Sequence, residues 1–209
     1  FENSKFWDKC WENLCSDKPY CHVIKKNKIP TAIICSKFAY AEVNILPNHY
    51  TEIPRMKAKI INGIPPIIYW SKNYKKYIAL SLKDQREAVW RDTKEATLFN
   101  CVLTKAIYEN FLQNNNSVVL DPFMGWGDRL LGALSCNKIK KYIGFDLNKE
   151  LKPCYEQIIK DHGKNKEVDF QIQDFLEAKL DNNSVDLVFT SPPYFDYEIY
   201  GSWDNVAVK

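Results

Sequence analysis

Two stretches of the chain hold residue types whose spacing can do chemistry: Asp121-Pro122-Phe123-Met124-Gly125-Trp126-Gly127-Asp128, and Thr190-Ser191-Pro192-Pro193-Tyr194. In the first, two glycines separated by one residue let the backbone turn sharply and approach a ligand closely before a helix begins. It is not the dinucleotide fingerprint, because the third glycine is missing. It is not a phosphate-cradling loop either, because no Gly-Lys-Ser/Thr ending follows. In the second stretch, two prolines fix the backbone and remove N–H donors, so the segment presents carbonyls. Ser191 adds a hydroxyl acceptor, and Tyr194 adds a ring on which a planar group can stack. The exocyclic amine of a base is a poor nucleophile because its lone pair is delocalised. Two acceptors gripping its hydrogens would help that nitrogen become tetrahedral as it attacks.

These stretches need elements to position them. Leu98, Val102, Leu103, Ala106, Ile107 and Phe111 fall on one helical face, which the Asn114-Asn115-Asn116 turn ends. Four short apolar segments follow, at 117–121, 142–146, 168–174 and 184–190. Helical patterns over 129–136 and 151–161 separate the first three, with Pro153 acceptable only in a first helical turn. Short apolar strands alternating with helices predict βαβ units and a parallel sheet covered on both faces. Asp121, Asp146 and Asp174 then sit at three successive strand ends, the edge where open α/β sheets bind ligands. Asp146 follows Asp121 at about the separation at which a carboxylate meets ribose hydroxyls. Phe175 offers an apolar wall for an adenine ring. Taken together, the three acids favour a nucleoside-bearing cofactor without a pyrophosphate.

Asp121-Pro-Phe-Met-Gly-Trp-Gly followed by Ser191-Pro-Pro-Tyr resembles the amino-methyltransferases that modify cytosine N4 or adenine N6 in DNA with S-adenosylmethionine. The resemblance covers roughly residues 96–200. It implies a Rossmann-like methyltransferase α/β fold, with Asp121 meeting the methionine amino group and Pro122, Phe123, Gly125 and Gly127 around the cofactor. It also implies that Asp146 holds the ribose, that Asp174 and Phe175 border the adenine, and that Phe99 lies beside the methionine moiety. Ser191, Pro192, Pro193 and Tyr194 would grip and stack a base that is flipped out of the duplex or already single-stranded. Trp126 stands where a small residue is usual. Ser191, in place of an acidic residue or Asn, leans the reading towards cytosine N4. Methylation of an RNA base, and a catalytically silent methyltransferase-like subunit, are the competing readings.

Composition sets the outer bounds. The chain has 209 residues, 45% hydrophobic and 26% charged, with a net charge of +3. These are globular values, and +3 is too small to mark a nucleic-acid binder by itself. No apolar run approaches a membrane span, and no signal-peptide pattern opens the chain. Seven cysteines at irregular spacings predict reduced thiols in an intracellular protein, cytoplasmic or wherever its DNA lies. Cys10, Cys15, Cys21 with His22, and Cys35 lack a C-x-x-C pair, so no metal is expected. Residues 1–95 read as an irregular, proline-interrupted extension, with short strands at 31–35, 60–64 and 67–70. Its basic clusters, Lys25-Lys26-Asn27-Lys28 and the aromatic-interleaved 70–77, suit contact with nucleic acid or with solvent. Residues 96–209 read as the methyltransferase domain, with Tyr197, Tyr200 and Trp203 near the pocket mouth or packed on the sheet. Against the family architecture this domain is short, and the chain starts at Phe1 rather than Met. The expectation is therefore a fragment, or a sheet edge after the fourth strand that a missing segment or partner chain covers.

Overall fold

The computed structural model describes residues 4–16, 20–36, 43, 45–57 and 98–192. The elements in chain order begin with helix α1 (Ser4–Cys15), strands β1 (Cys21–Lys26) and β2 (Ile29–Cys35), and helix α2 (Leu46–Lys57). Helix α3 (Cys101–Phe111), β3 (Ser117–Asp121), α4 (Asp128–Ser135) and β4 (Ile139–Asp146) follow, then α5 (Lys152–His162), β5 (Glu167–Ile172) and β6 (Leu187–Val188). Short 3-10 turns at Lys149–Leu151 and Phe175–Glu177 lead into α5 and leave β5.

The main sheet is four-stranded and parallel, in the order β5-β4-β3-β6, so the fold is α/β as the alternating pattern predicts. The chain steps outward from β3 through β4 to β5, then crosses back to pair β6 on the other side of β3. This reversal makes the carboxyl end of β3 the topological switch point, where such sheets form a crevice. Strand β3 is buried along almost its whole length, which is why it reads Ser-Val-Val-Leu-Asp with no polar alternation. Strand β5, at the edge, alternates instead, turning Val168, Phe170 and Ile172 inward. The fourth apolar segment forms only a two-residue ladder, Leu187–Val188, beside Val119 and Leu120.

The helices start where local chemistry allows. Asn100 caps α3 by accepting the Leu103 N–H at 2.9 Å, and Pro153 falls in the first turn of α5. Three lysines close helix ends at the amino edge of the sheet. Lys105 Nζ donates to the carbonyls of Leu14 and Ser16 at 2.8 and 3.0 Å after α1. Lys138 Nζ donates to Glu109 and Leu112, each at 2.7 Å, after α3. Lys166 Nζ donates to Cys136 and Ile139 after α4. Lys105 and Lys138 meet carbonyls that a helix leaves orphaned at its negative end, and Lys166 bridges the cap of α4 to the first carbonyl of β4.

The described N-terminal residues are more regular than the prolines suggest. Helix α2 runs through Pro54, because buried Leu46, Thr51 and Arg55 anchor it and tertiary packing outweighs one lost backbone bond. Cys10, Leu14, Val43 and Leu46 belong to the same core cluster as Val119, Leu130 and Tyr155. Trp11 stacks on His162 at 3.9 Å between ring centroids, and Tyr50 Oη lies 2.6 Å from His162 Nε2. A cavity of about 330 Å³ opens beside them.

Strands β1 and β2 form a separate antiparallel hairpin, which includes the predicted strand at 31–35. The reading of seven reduced thiols is corrected here: Cys21 and Cys35 are joined by a disulfide. The two-residue turn and the register shift between Ile24 and Lys25 together make them cross-strand partners, with Cα atoms 3.9 Å apart. Cys10, Cys15, Cys101, Cys136 and Cys154 are free thiols. Among the described residues no three metal-binding side chains converge, and no helix is long and apolar enough to cross a membrane. The predicted strands at 60–64 and 67–70, and the basic cluster at 70–77, lie outside the described residues.

Candidate functional site at the carboxyl edge of the sheet

Asp121 ends β3 fully buried. Its Oδ2 accepts Arg129 Nε and the Tyr142 hydroxyl, each at 2.7 Å. Its Oδ1 accepts the Thr190 hydroxyl at 2.7 Å and the Phe123 N–H at 3.3 Å. Four donors therefore use both oxygens. The resemblance gives Asp121 a direct contact with a methionine amino group, but here its carboxylate fastens strand, loop and helix to one another. Burial works against the charge of Arg129, and Asp121 more than offsets this, so the guanidinium is held above its ordinary pKa. Burial and the same carboxylate raise the Tyr142 phenol, which stays protonated as a donor. Arg129 also donates to the Phe123 carbonyl, and its guanidinium lies 5.6 Å from the ring centroid of Phe99.

Gly125 and Gly127 have φ of +57° and +87°, the left-handed region that favours glycine. Gly127 caps α4, and a Cβ there would press to 3.0 Å from Ile158 Cδ1. A Cβ on Gly125 would find nothing nearer than Arg129 at 4.0 Å, so the space over this glycine is open. The loop is pinned from below. The Met124 N–H donates to the Phe145 carbonyl at 2.8 Å, and the buried Met124 side chain occupies the volume that a Cβ on Gly144 would need. Tyr155 donates its hydroxyl to the Gly125 carbonyl. Trp126 is half-buried and packs its ring on the core cluster.

Asp146 ends β4 and accepts the Gly125 N–H and the Asn148 N–H, each at 2.8 Å. Burial raises its carboxyl above the ordinary value, and the two N–H donors hold it back. The Tyr155 hydroxyl lies near it as well, and part of its acceptor capacity remains for a further donor. Asp174, two residues past β5, caps the following 3-10 turn through the Leu176 N–H at 2.9 Å. Phe175 packs edge-on against Phe145 at 5.4 Å. Phe99 stands in front of α3 with its ring 5.6 Å from that of Phe189.

Thr190 extends the segment after β6 and ties it to the loop after β3, since the Phe123 N–H also donates to its Oγ1 at 3.2 Å. Ser191, half-buried, and Pro192, exposed, follow directly. Pro193, Tyr194, Tyr197, Tyr200 and Trp203 lie outside the described residues. One carboxyl edge thus collects Asp121, Pro122, Phe123, Gly125 and Gly127 with Thr190, Ser191 and Pro192, and Asp146 reaches the loop directly. Asp174 and Phe175 sit at the end of the outer strand.

Thr190, Arg129, Tyr142 and Tyr155 form the frame of this site, and motif reading gives them no role. Their signals are faint: an Arg two residues past the glycine loop, and tyrosines inside apolar runs. Asp128, the first residue of α4, is also buried, with one carboxylate oxygen lacking a partner. Burial pushes its carboxyl up to about 7, against the opposing effects of Arg129, the Phe99 N–H and Arg55. A second cavity of about 470 Å³, lined by Leu14, Tyr20, Lys105, Asn137 and Lys138, lies at the opposite, amino edge. No protein-family model and no curated protein sequence matches the chain.

Proposed function

We propose that this chain belongs to an S-adenosylmethionine-dependent enzyme that methylates an exocyclic amino group of a base in DNA, cytosine N4 before adenine N6. One observation carries the reading. A left-handed Gly-x-Gly loop after β3 is bonded, through Asp121 and Thr190, to the Ser191-Pro192 segment at the switch point of a parallel sheet. A cofactor loop and an amine-gripping segment then share one anchor.

The residues present fit such a cofactor. Gly125 leaves open space above the loop, Asp146 keeps acceptor capacity for ribose hydroxyls, and Phe175 and Phe99 supply apolar walls. Asp174 would accept from the adenine. The cofactor, when bound, supplies a methyl group already activated by its sulfonium. What remains for the protein is placement, a proximity effect. The Ser191 hydroxyl and the Pro192 carbonyl would accept the hydrogens of the target amine, orienting its lone pair and stabilising positive charge as it develops on nitrogen. The surplus proton leaves to water. A base in a duplex cannot reach a segment set at a sheet edge, so the target is flipped out or single-stranded, with Tyr194 as the stacking ring.

Calorimetry with S-adenosylmethionine is the first test, on protein shown to be folded. Binding supports the reading, and its absence sinks it. Labelled-methyl transfer to DNA and to RNA then separates substrates, and mass spectrometry of digested product identifies the base. Transfer to RNA alone would replace DNA as the substrate.

A further inference from the structure

The β1–β2 hairpin stands apart from the main sheet. Its base is stapled by Cys21–Cys35, and its far end is exposed. Residues 20–36 contain Lys25, Lys26 and Lys28 and no acidic residue. All three lysines are exposed, and among the described residues none of them enters an ion pair. Asn27 and Lys28 form the two-residue turn with φ of +50° and +66°. Such a turn is most comfortable with glycine at its second position, so a lysine there is held against its backbone preference. Nothing in the folding of the hairpin requires a cation at that point. A bulge places Thr31 opposite the Ile24/Lys25 step, with its hydroxyl donating to the Ile24 carbonyl at 3.1 Å, and bends the ribbon. Ile24, Ile29 and Ile34 remain 49%, 64% and 58% exposed, more apolar surface than a hairpin facing only water needs.

We infer that this hairpin is a duplex-binding arm that enters the major groove of DNA, with Lys25, Lys26 and Lys28 on phosphates. A two-stranded ribbon matches the width of that groove. The charge of one sign matches the phosphate backbone, and the exposed isoleucines suit the thymine methyl groups at the groove floor. The inference rests on the proposed function for its substrate. It adds where the duplex is held while the base is treated elsewhere.

The test is fluorescence anisotropy of a short labelled DNA duplex, titrated with the whole chain across a salt series. Wild type is compared with the Lys25→Gln/Lys26→Gln/Lys28→Gln triple variant, with calorimetry of S-adenosylmethionine in parallel. Each phosphate contact contributes about 0.9 to the slope of log affinity against log salt. The variant is expected to lose about 2–3 from that slope and at least about tenfold in affinity at 0.1 M salt, with its cofactor binding unchanged. A wild-type slope in the variant overturns the inference, as does failure of wild type to bind duplex DNA. Lysine-dependent binding that is tighter to anionic lipid vesicles or to duplex RNA, whose major groove is too narrow for side chains, also overturns it. Loss of cofactor binding in wild type while DNA binding persists would instead strike the proposed function.

Discussion

Thr190 and Asp121, 69 residues apart in sequence, are joined by a 2.7 Å hydrogen bond in which the threonine hydroxyl donates. The bond couples the loop after β3 to the segment before Ser191. Thr190→Val keeps the shape and removes the donor. It is expected to cost about 1 kcal/mol of stability, measured by urea denaturation, and to lower methyl transfer by more than it weakens cofactor binding. Equal losses in both would show that the bond is merely structural.

Asp121→Ala behaves differently, because it strands the Arg129 cation in the interior. Removing one partner of a buried pair costs about 3–5 kcal/mol. The expectation is a folding defect visible by circular dichroism, with lost activity as its consequence. Full stability in this variant would contradict the anchoring role assigned to the carboxylate.

The two loop glycines predict separable effects. Gly125→Ala meets only backbone strain, about 1–2 kcal/mol, and is expected to fold while binding cofactor less tightly. Gly127→Ala adds a close approach to Ile158, so its thermal midpoint should fall further. Calorimetry and thermal melts on the pair test that order.

Gly144→Ala would drive a methyl group into Met124 Sδ and to 2.9 Å from Tyr142 Cε1. Overpacking of this kind typically costs about 1–3 kcal/mol. Adding Met124→Ala should relieve the larger part of the clash and leave only the approach to Tyr142, so the double variant is expected to be less destabilised than the sum of the two single ones. Additive losses in denaturation experiments would refute the contact.

Asp128 and His162 pull the pH dependence of stability in opposite directions. The Asp128 pKa rises on folding from 3.8 to about 7, so its carboxyl binds more protons folded than unfolded. Stability from this group is full below about pH 4 and is lost as pH rises through about 7. The His162 pKa falls on folding from 6.5 to about 4, mainly through burial. Its contribution is full above about pH 6.5 and is lost as pH falls towards 4. Asp128→Asn should therefore leave stability rising with pH between 4 and 6.5, as read by urea midpoints. An Asp128→Asn curve that still declines towards pH 7 would count against the buried acid.

Much of the frame was legible in the sequence. Parallel strands buried on both faces leave continuous apolar runs, so 117–121 and the strand ending at Asp146 stand out, and the loop glycines announce themselves by their scarcity. What stayed hidden was pairing at a distance. Nothing local to Arg129, Tyr142 or Thr190 shows that all three converge on Asp121, because that convergence is set by strand order. For the same reason the carboxyl read as a ligand contact is saturated by the protein itself. Helix α2 was obscured by Pro54, whose local penalty is overridden by burial of residues on either side. The Cys21–Cys35 link was obscured because spacing gives no register until both the Asn27-Lys28 turn and the bulge at Thr31 are known.

The hold of Lys105 on the carbonyls of Leu14 and Ser16 bears on how this protein can be dissected. A shortened version beginning at Ala96 would keep every motif and still leave that ammonium facing a vacated wall, with the core cluster deprived of Cys10, Leu14, Val43 and Leu46. The half that carries the parallel sheet is not a portable cassette, and grafting it elsewhere requires carrying the first helices along.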